Sequence, residues 1–138
     1  MEENQFVIFK LGDEEYGTDI MNVQEIILPP KITSLPGTPP HVLGIVNLRG
    51  AIVPIINLKQ RLGLEDSEDT EETRVIIVKV ENHSYGIIVD SVQEVLRLNS
   101  EQIDRGDDVY HGIDRSFIKG IARMEDRLVI LLKLSTDI

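Results

Sequence analysis

Cysteine and tryptophan are absent from this chain of 138 residues, and three Tyr and three Phe supply all its aromatic rings. Without thiols there are no disulfides, no thiolate metal sites and no thiol redox chemistry, a composition compatible with a reducing compartment. Positive charge is also scarce: 14 Lys and Arg stand against 24 Asp and Glu, for a net charge of −10. That balance repels a phosphate backbone and the few rings leave little for bases to stack on, so nucleic acid is not an expected partner. No apolar run approaches the roughly 20 residues of a membrane span. The opening MEENQFVIFK is acidic and passes straight into an apolar strand, unlike a signal peptide. The expected location is the cytoplasm.

What the chain does have is one pattern written twice. FVIFKLGDEEYGTDIMNVQEII from Phe6 and VIIVKVENHSYGIIVDSVQEVL from Val75 overlay without a gap at an offset of 69 positions (75 − 6). Identities include Lys10/Lys79, Tyr16/Tyr85, Gly17/Gly86, Val23/Val92, Gln24/Gln93 and Glu25/Glu94. Further on, GIVNLRGAIVPIINL from Gly44 matches GIARMEDRLVILLKL from Gly120 at an offset of 76 (120 − 44). Two matched blocks in the same order indicate an internal duplication.

Each half reads as five short strands, rich in Val and Ile and too short for helices: FVIFKL, EYGTDI, VQEIIL, GIVNL and AIVPIINL, then RVIIVKV, SYGIIV, VQEVLRL, FIKGIA and LVILLKL. GDEE, LRG, ENHS and MEDR supply hairpin tips. PPHVLG and LKQRLG are short helix candidates, the second closed by Gly63. Closure removes exposed strand edges, so the expected fold is all-β: two five-stranded barrels packed against each other, from halves 1–68 and 69–138, with strand exchange between them left open. GLEDSEDTEET, with six acids from Glu65 to Glu72, reads as a solvated linker between the halves. NSEQIDRGDDVYHGIDRS lacks the calcium-loop register and reads as a loop.

A duplicated barrel with one acid per half invites a test for an aspartic dyad. Asp19 and Asp90 are 71 positions apart (90 − 19) rather than 69, so Asp19 aligns with Ile88 and Asp90 with Met21. Symmetry cannot bring them together as equivalents, and the dyad reading fails. His41, His83 and His111 lie in polar or loop segments without metal-ligand spacing. No P-loop, nucleophile elbow or dinucleotide fingerprint is present. A hydrolase site assembled only in space is the remaining enzymatic alternative; no catalytic residue, metal or cofactor is expected.

The strands FVIF, IVPII, VIIV and LVILL are apolar on both faces, with Phe6 and Ile8 on one side of the first and Val7 and Phe9 on the other. One face fills a barrel; the other must meet the second barrel or another protein. Arg49, at the tip NLRG, is answered in the repeat by Glu125, of opposite charge, which points to a role outside the duplicated scaffold. Glu25, in the doubled VQE, is a carboxylate of the right sign to pair with it.

At GIVNLRGAIVPIINLKQRLG, EEYGTDIMNVQEI and YGIIVDSVQEVL, the chain resembles the CheW family of chemotaxis coupling proteins, from about Gln5 to the C-terminus. Asn57 departs from the Asp common at its position. The chain has no room for the other domains of the histidine kinase CheA, which ends in the same module, and no receiver domain of a fused coupler. The resemblance implies a non-enzymatic adaptor of two SH3-like barrels, linking cytoplasmic tips of methyl-accepting chemoreceptors to the regulatory domain of CheA, at the inner face of the membrane through receptor arrays. It further implies a kinase face at Val7, Ile20 and Val23 and a receptor face at Glu25, Arg49, Val92 and Val95. Gly44 would sit where a side chain disturbs either contact. A CheW-like module of another two-component or motility pathway is the alternative.

Overall fold

The computed structural model describes residues 3–104 and 117–135. In chain order its elements are β1 (Glu3–Leu11), β2 (Glu14–Asp19), a 3-10 turn (Ile20–Asn22), β3 (Val23–Ile27), β4 (Val42–Leu48), β5 (Ala51–Asn57) and α1 (Leu58–Arg61). Then follow β6 (Arg74–Val80), β7 (His83–Val89), β8 (Ser91–Asn99), a 3-10 turn (Ser100–Gln102), β9 (Ile103–Asp104), β10 (Ile118–Met124) and β11 (Arg127–Leu132). All ten anticipated strands are present, and the two-residue β9 is an addition. LKQRLG forms α1, which Asn57 caps at its start. Gly63, at φ 76, donates to the Gln60 carbonyl and Leu64 to that of Lys59, the paired bonds of a Schellman stop. PPHVLG is not a helix: Pro39 accepts from the Val42 amide in a single turn, and the β-branched Val42 opens β4.

The sheets do not follow the halves of the duplication. β3-β6-β7-β5-β4 form one sheet, a continuous segment that we term the central barrel; β8-β1-β2-β11-β10-β9 form the other, the terminal barrel. The expected division at residues 68 and 69 therefore separates the repeats but not the barrels. β1 leaves its own half to pair with β8, and its repeat mate β6 pairs with β3. β8 and β9 are opposite edges of the six-stranded sheet, yet only the three-residue 3-10 turn joins them. Such a link reaches about 14 Å, whereas the edges of a flat sheet of that width lie about 24 Å apart, so the sheet must roll up. In the central barrel the chain after β3 returns to β4 through a bridge between Thr33 and Ile45, with two bonds of 2.8 Å.

Three apolar clusters follow from this exchange. Phe6, Ile8, Ala122, Val129 and Leu131 fill the terminal barrel, while their repeat equivalents Val75, Ile77, Val46, Val53 and Ile55 fill the central one. The third and largest cluster lies between the barrels and includes Val7, Phe9, Tyr16, Ile56 and Leu58 with their equivalents Ile76, Val78, Tyr85, Leu132 and Leu134. The second apolar face of each double-faced strand is thus spent on the partner barrel.

The doubled motifs have a packing explanation. In each YG the Tyr faces the inter-barrel core and the Gly faces a barrel interior. A Cβ on Gly17 would lie 2.9 Å from Ile8 Cδ1, and one on Gly86 2.6 Å from Ile55 Cδ1, so neither interior has room for a side chain. In each VQE the Gln is the extra residue of a β-bulge: Val23 pairs with Val78 and Glu25 with Ile77, as Val92 pairs with Phe9 and Glu94 with Ile8. One position breaks the symmetry. Thr18, equivalent to Ile87 of the inter-barrel core, is fully buried and its hydroxyl has no hydrogen-bond partner among the described residues. Thr18→Val keeps the shape and removes the unsatisfied group, and should stabilise the fold by about 1 kcal/mol, read as a higher urea midpoint at unchanged m-value.

Candidate docking surfaces

NLRG is built as a tight turn. The Asn47 side chain accepts the Gly50 amide at 2.8 Å, and Leu48 packs on the central barrel's core. Arg49 (φ 52) and Gly50 (φ 89) both take the left-handed conformation that a two-residue hairpin needs. The turn lifts the Arg49 side chain, 70% exposed, across to Glu25 on β3, where its two terminal nitrogens engage both carboxylate oxygens. Those bonds hold the Glu25 carboxyl below the ordinary carboxylate range, against a smaller opposing effect of desolvation. Glu25 and Arg49, whose pairing the sequence leaves open, are one bidentate clasp.

The terminal barrel carries a second clasp that sequence reasoning missed. Arg127, at the start of β11, reaches Glu15 at 2.6 Å and Glu94, the equivalent of Glu25, at 2.5 Å. A gap-free overlay matches Arg49 to Glu125 and hides Arg127, which stands two positions further along. Exposed apolar residues flank both clasps at equivalent positions: Ile26 and Ile52 in the central barrel, Val95 and Leu128 in the terminal one.

The residues of the expected kinase face are only partly at the surface. Val7 is 2% exposed and lies in the inter-barrel core, so its expected place on the kinase face is corrected to one beneath it: its strand face is covered by the other barrel. Ile20 and Val23 are half-buried and pack against the margin of that core. Beside Ile20, Met21 is 85% exposed, and the two border a cleft of about 290 Å³ with Asn4, Gln5, Asp19 and Arg97. Val92 is half-buried against the same core, while Val95, across from Val7, is 50% exposed. Gly44 is buried, so a side chain there would act first on the fold. Its φ is 152, and a Cβ there would lie 2.1 Å from the Thr33 carbonyl oxygen, at the bridge that joins the barrel edges.

The two acids tested as a dyad serve different elements. Asp19 caps the first 3-10 turn through the Met21 amide, with Lys119 at 3.8 Å. Asp90 joins the barrels: it accepts Lys59 Nζ at 2.7 Å and the Gly12 amide at 2.6 Å. Lys59 also contacts Ser67 at 2.5 Å, and the Asn57 amide group donates to Asp66, an arrangement an Asp at 57 would repel. The acidic linker is thus exposed but anchored at two points. Among the described residues no cluster of His, Asp and Glu could hold a metal ion. His111, Asp107, Asp108 and Asp114 lie outside the described residues.

Two barrels locked through a shared apolar core, with ion-pair clasps and exposed apolar residues at their turns, define a rigid interaction module. A family model described as CheW-like domain matches residues 5–136. Chemotaxis protein CheW of Klebsiella aerogenes is 37% identical over 130 residues, covering 94% of this chain and 78% of that protein. The CheW of Rhizobium meliloti is 33% identical over 132 residues, 96% of this chain and 85% of that one. The crystal structure of scaffolding protein TtCheW from Thermoanaerobacter tengcongensis superposes with a TM-score of 0.89 at 37% identity, covering 97% of this chain and 86% of that one. The chain belongs to the CheW family of chemotaxis coupling adaptors. No helix among the described residues is long and apolar enough to cross a membrane.

Proposed function

We propose that this adaptor couples the cytoplasmic tips of chemoreceptors to the regulatory domain of the histidine kinase CheA, without chemistry of its own and at the membrane's inner face. The observation that carries the reading is the inter-barrel core, which makes one rigid body of two barrels with separate exposed surfaces. A rigid body holding one partner on each surface converts a shift of the first into a shift of the second. The kinase face is assigned to the seam around Ile20, Val23 and exposed Met21, with Val7 supporting it from beneath. The receptor face is assigned to the Glu25–Arg49 clasp with Val92 and Val95.

Calorimetric titration with the CheA regulatory domain from the same cell tests the kinase face. Val23 packs on the core, so a charge there would damage the fold as well as any contact; Met21→Asp is the cleaner variant. Binding by the wild type should weaken at least about tenfold in Met21→Asp, since a docked carboxylate loses its water. Equal affinity would move the kinase face elsewhere. Arg49→Ala should leave the unfolding midpoint nearly unchanged, because the clasp is exposed, yet reduce receptor-dependent kinase activation; normal activation would remove Arg49 from the receptor face.

A further inference from the structure

One cleft belongs to neither proposed face. It lies between the end of the β3–β4 connection and α1, has a volume of about 470 Å³, and is lined by Pro40, His41, Gln60 and Arg61. The Arg61 guanidinium carbon sits 4.2 Å from the centre of the Phe117 ring, and that ring is itself buried. A guanidinium carbon over a ring face makes a cation–π contact through its face, and its N–H groups point away from the ring edge-on. Like Lys10, Lys31, Arg74, Lys79, Arg97 and Lys133, Arg61 has no carboxylate within ion-pair distance among the described residues. His41 is half-buried, and its carbonyl is tied to the Asn57 amide at 2.7 Å.

We infer that Arg61, His41 and Gln60 form an oxyanion site that takes a carboxylate or a phosphate-type group. The Arg fork supplies two parallel donors, the Gln amide a third, and the imidazole a fourth when protonated. Desolvation first and the Arg61 charge second hold the His41 imidazolium below its ordinary range, and Arg61 is its charged neighbour among the described residues. An anion between them converts that repulsion into two attractions. Its binding favours the protonated imidazole, so affinity rises as pH falls through the His41 titration.

The test is an NMR pH titration of the histidine ring protons of the whole chain, in sodium sulfate against sodium chloride at equal ionic strength. Sulfate keeps its charge across the range, and His83, at the start of β7, is the internal reference. Sulfate is expected to raise the His41 pKa and leave His83 where chloride puts it. In Arg61→Gln the sulfate response should disappear, while in chloride the His41 pKa rises because the repelling charge has gone. Sodium acetate in a third arm distinguishes the ligands: a response to acetate as well as sulfate assigns a carboxylate site, a response to sulfate alone a phosphate-type site. Equal shifts at His41 and His83, or a sulfate response that survives Arg61→Gln, would overturn the assignment.

Discussion

Replacing Asp90 with Ala is expected to destabilise the protein by about 3–5 kcal/mol, because it strands a buried cation. Lys59 Nζ is enclosed, its side chain 4% exposed, and Asp90 is its counter-ion at 2.7 Å. The same carboxylate holds the Gly12 amide, and the Asp90 amide donates to the Lys10 carbonyl at 2.9 Å. One residue thus ties the β1–β2 hairpin of the terminal barrel to α1, at the end of the central barrel's β5. Urea unfolding of the Ala variant should show the loss, whereas Lys59→Met with Asp90→Ala should cost less than Asp90→Ala alone, since no buried charge remains. An unchanged midpoint for Asp90→Ala would mean that Ser67 by itself satisfies the ammonium.

Gly44→Ala is the second change of large expected effect. The backbone there has a positive φ that favours glycine, and the added Cβ meets the Thr33 carbonyl carbon at 2.7 Å as well as its oxygen at 2.1 Å. A backbone carbonyl cannot swing aside as a side-chain end can, so relief requires breaking the Thr33–Ile45 bridge. The expected cost is about 3–5 kcal/mol or failure to fold. Gly120, its equivalent, meets the Asp104 carbonyl oxygen at 2.7 Å and closes the terminal barrel in the same way. Any partner lost by Gly44→Ala should therefore be lost in proportion to unfolding by circular dichroism. A folded variant of wild-type stability that failed to bind would return Gly44 to a contact role.

Both cases mark where sequence reading stops. The Arg49–Glu25 clasp was legible as two residues of opposite sign in unusual positions, because an unpaired Arg on a tip contradicts the duplication around it. The Arg127 clasp was not, because its charge shifted by two positions while the geometry stayed. Asp90 stands out as an acid that fails as a dyad member, yet its partner Lys59 carries no signal: a Lys at the start of a short helix reads as solvated until the fold buries it. The resemblance alone puts Val7 on the kinase face; its strand is apolar on both faces, and alternation tells which residues share a face but not which face meets the other barrel.

The sequence by itself determined the ten long strands, their turns and the duplication, since these rest on local patterning and on likeness between segments of one chain. It also determined family membership, through motifs that cover the whole fold. The tertiary structure alone decided that β1 and β6 cross to the opposite half, that the doubled YG and VQE are packing and bulge devices, and that Val7 and Gly44 are interior. Those outcomes depend on pairings across 81 to 96 residues for β1 with β8 (91 − 10 to 99 − 3) and 48 to 55 for β3 with β6 (75 − 27 to 78 − 23), where competing partners have the same apolar alternation and only the closed barrels, meeting at one shared core, distinguish them.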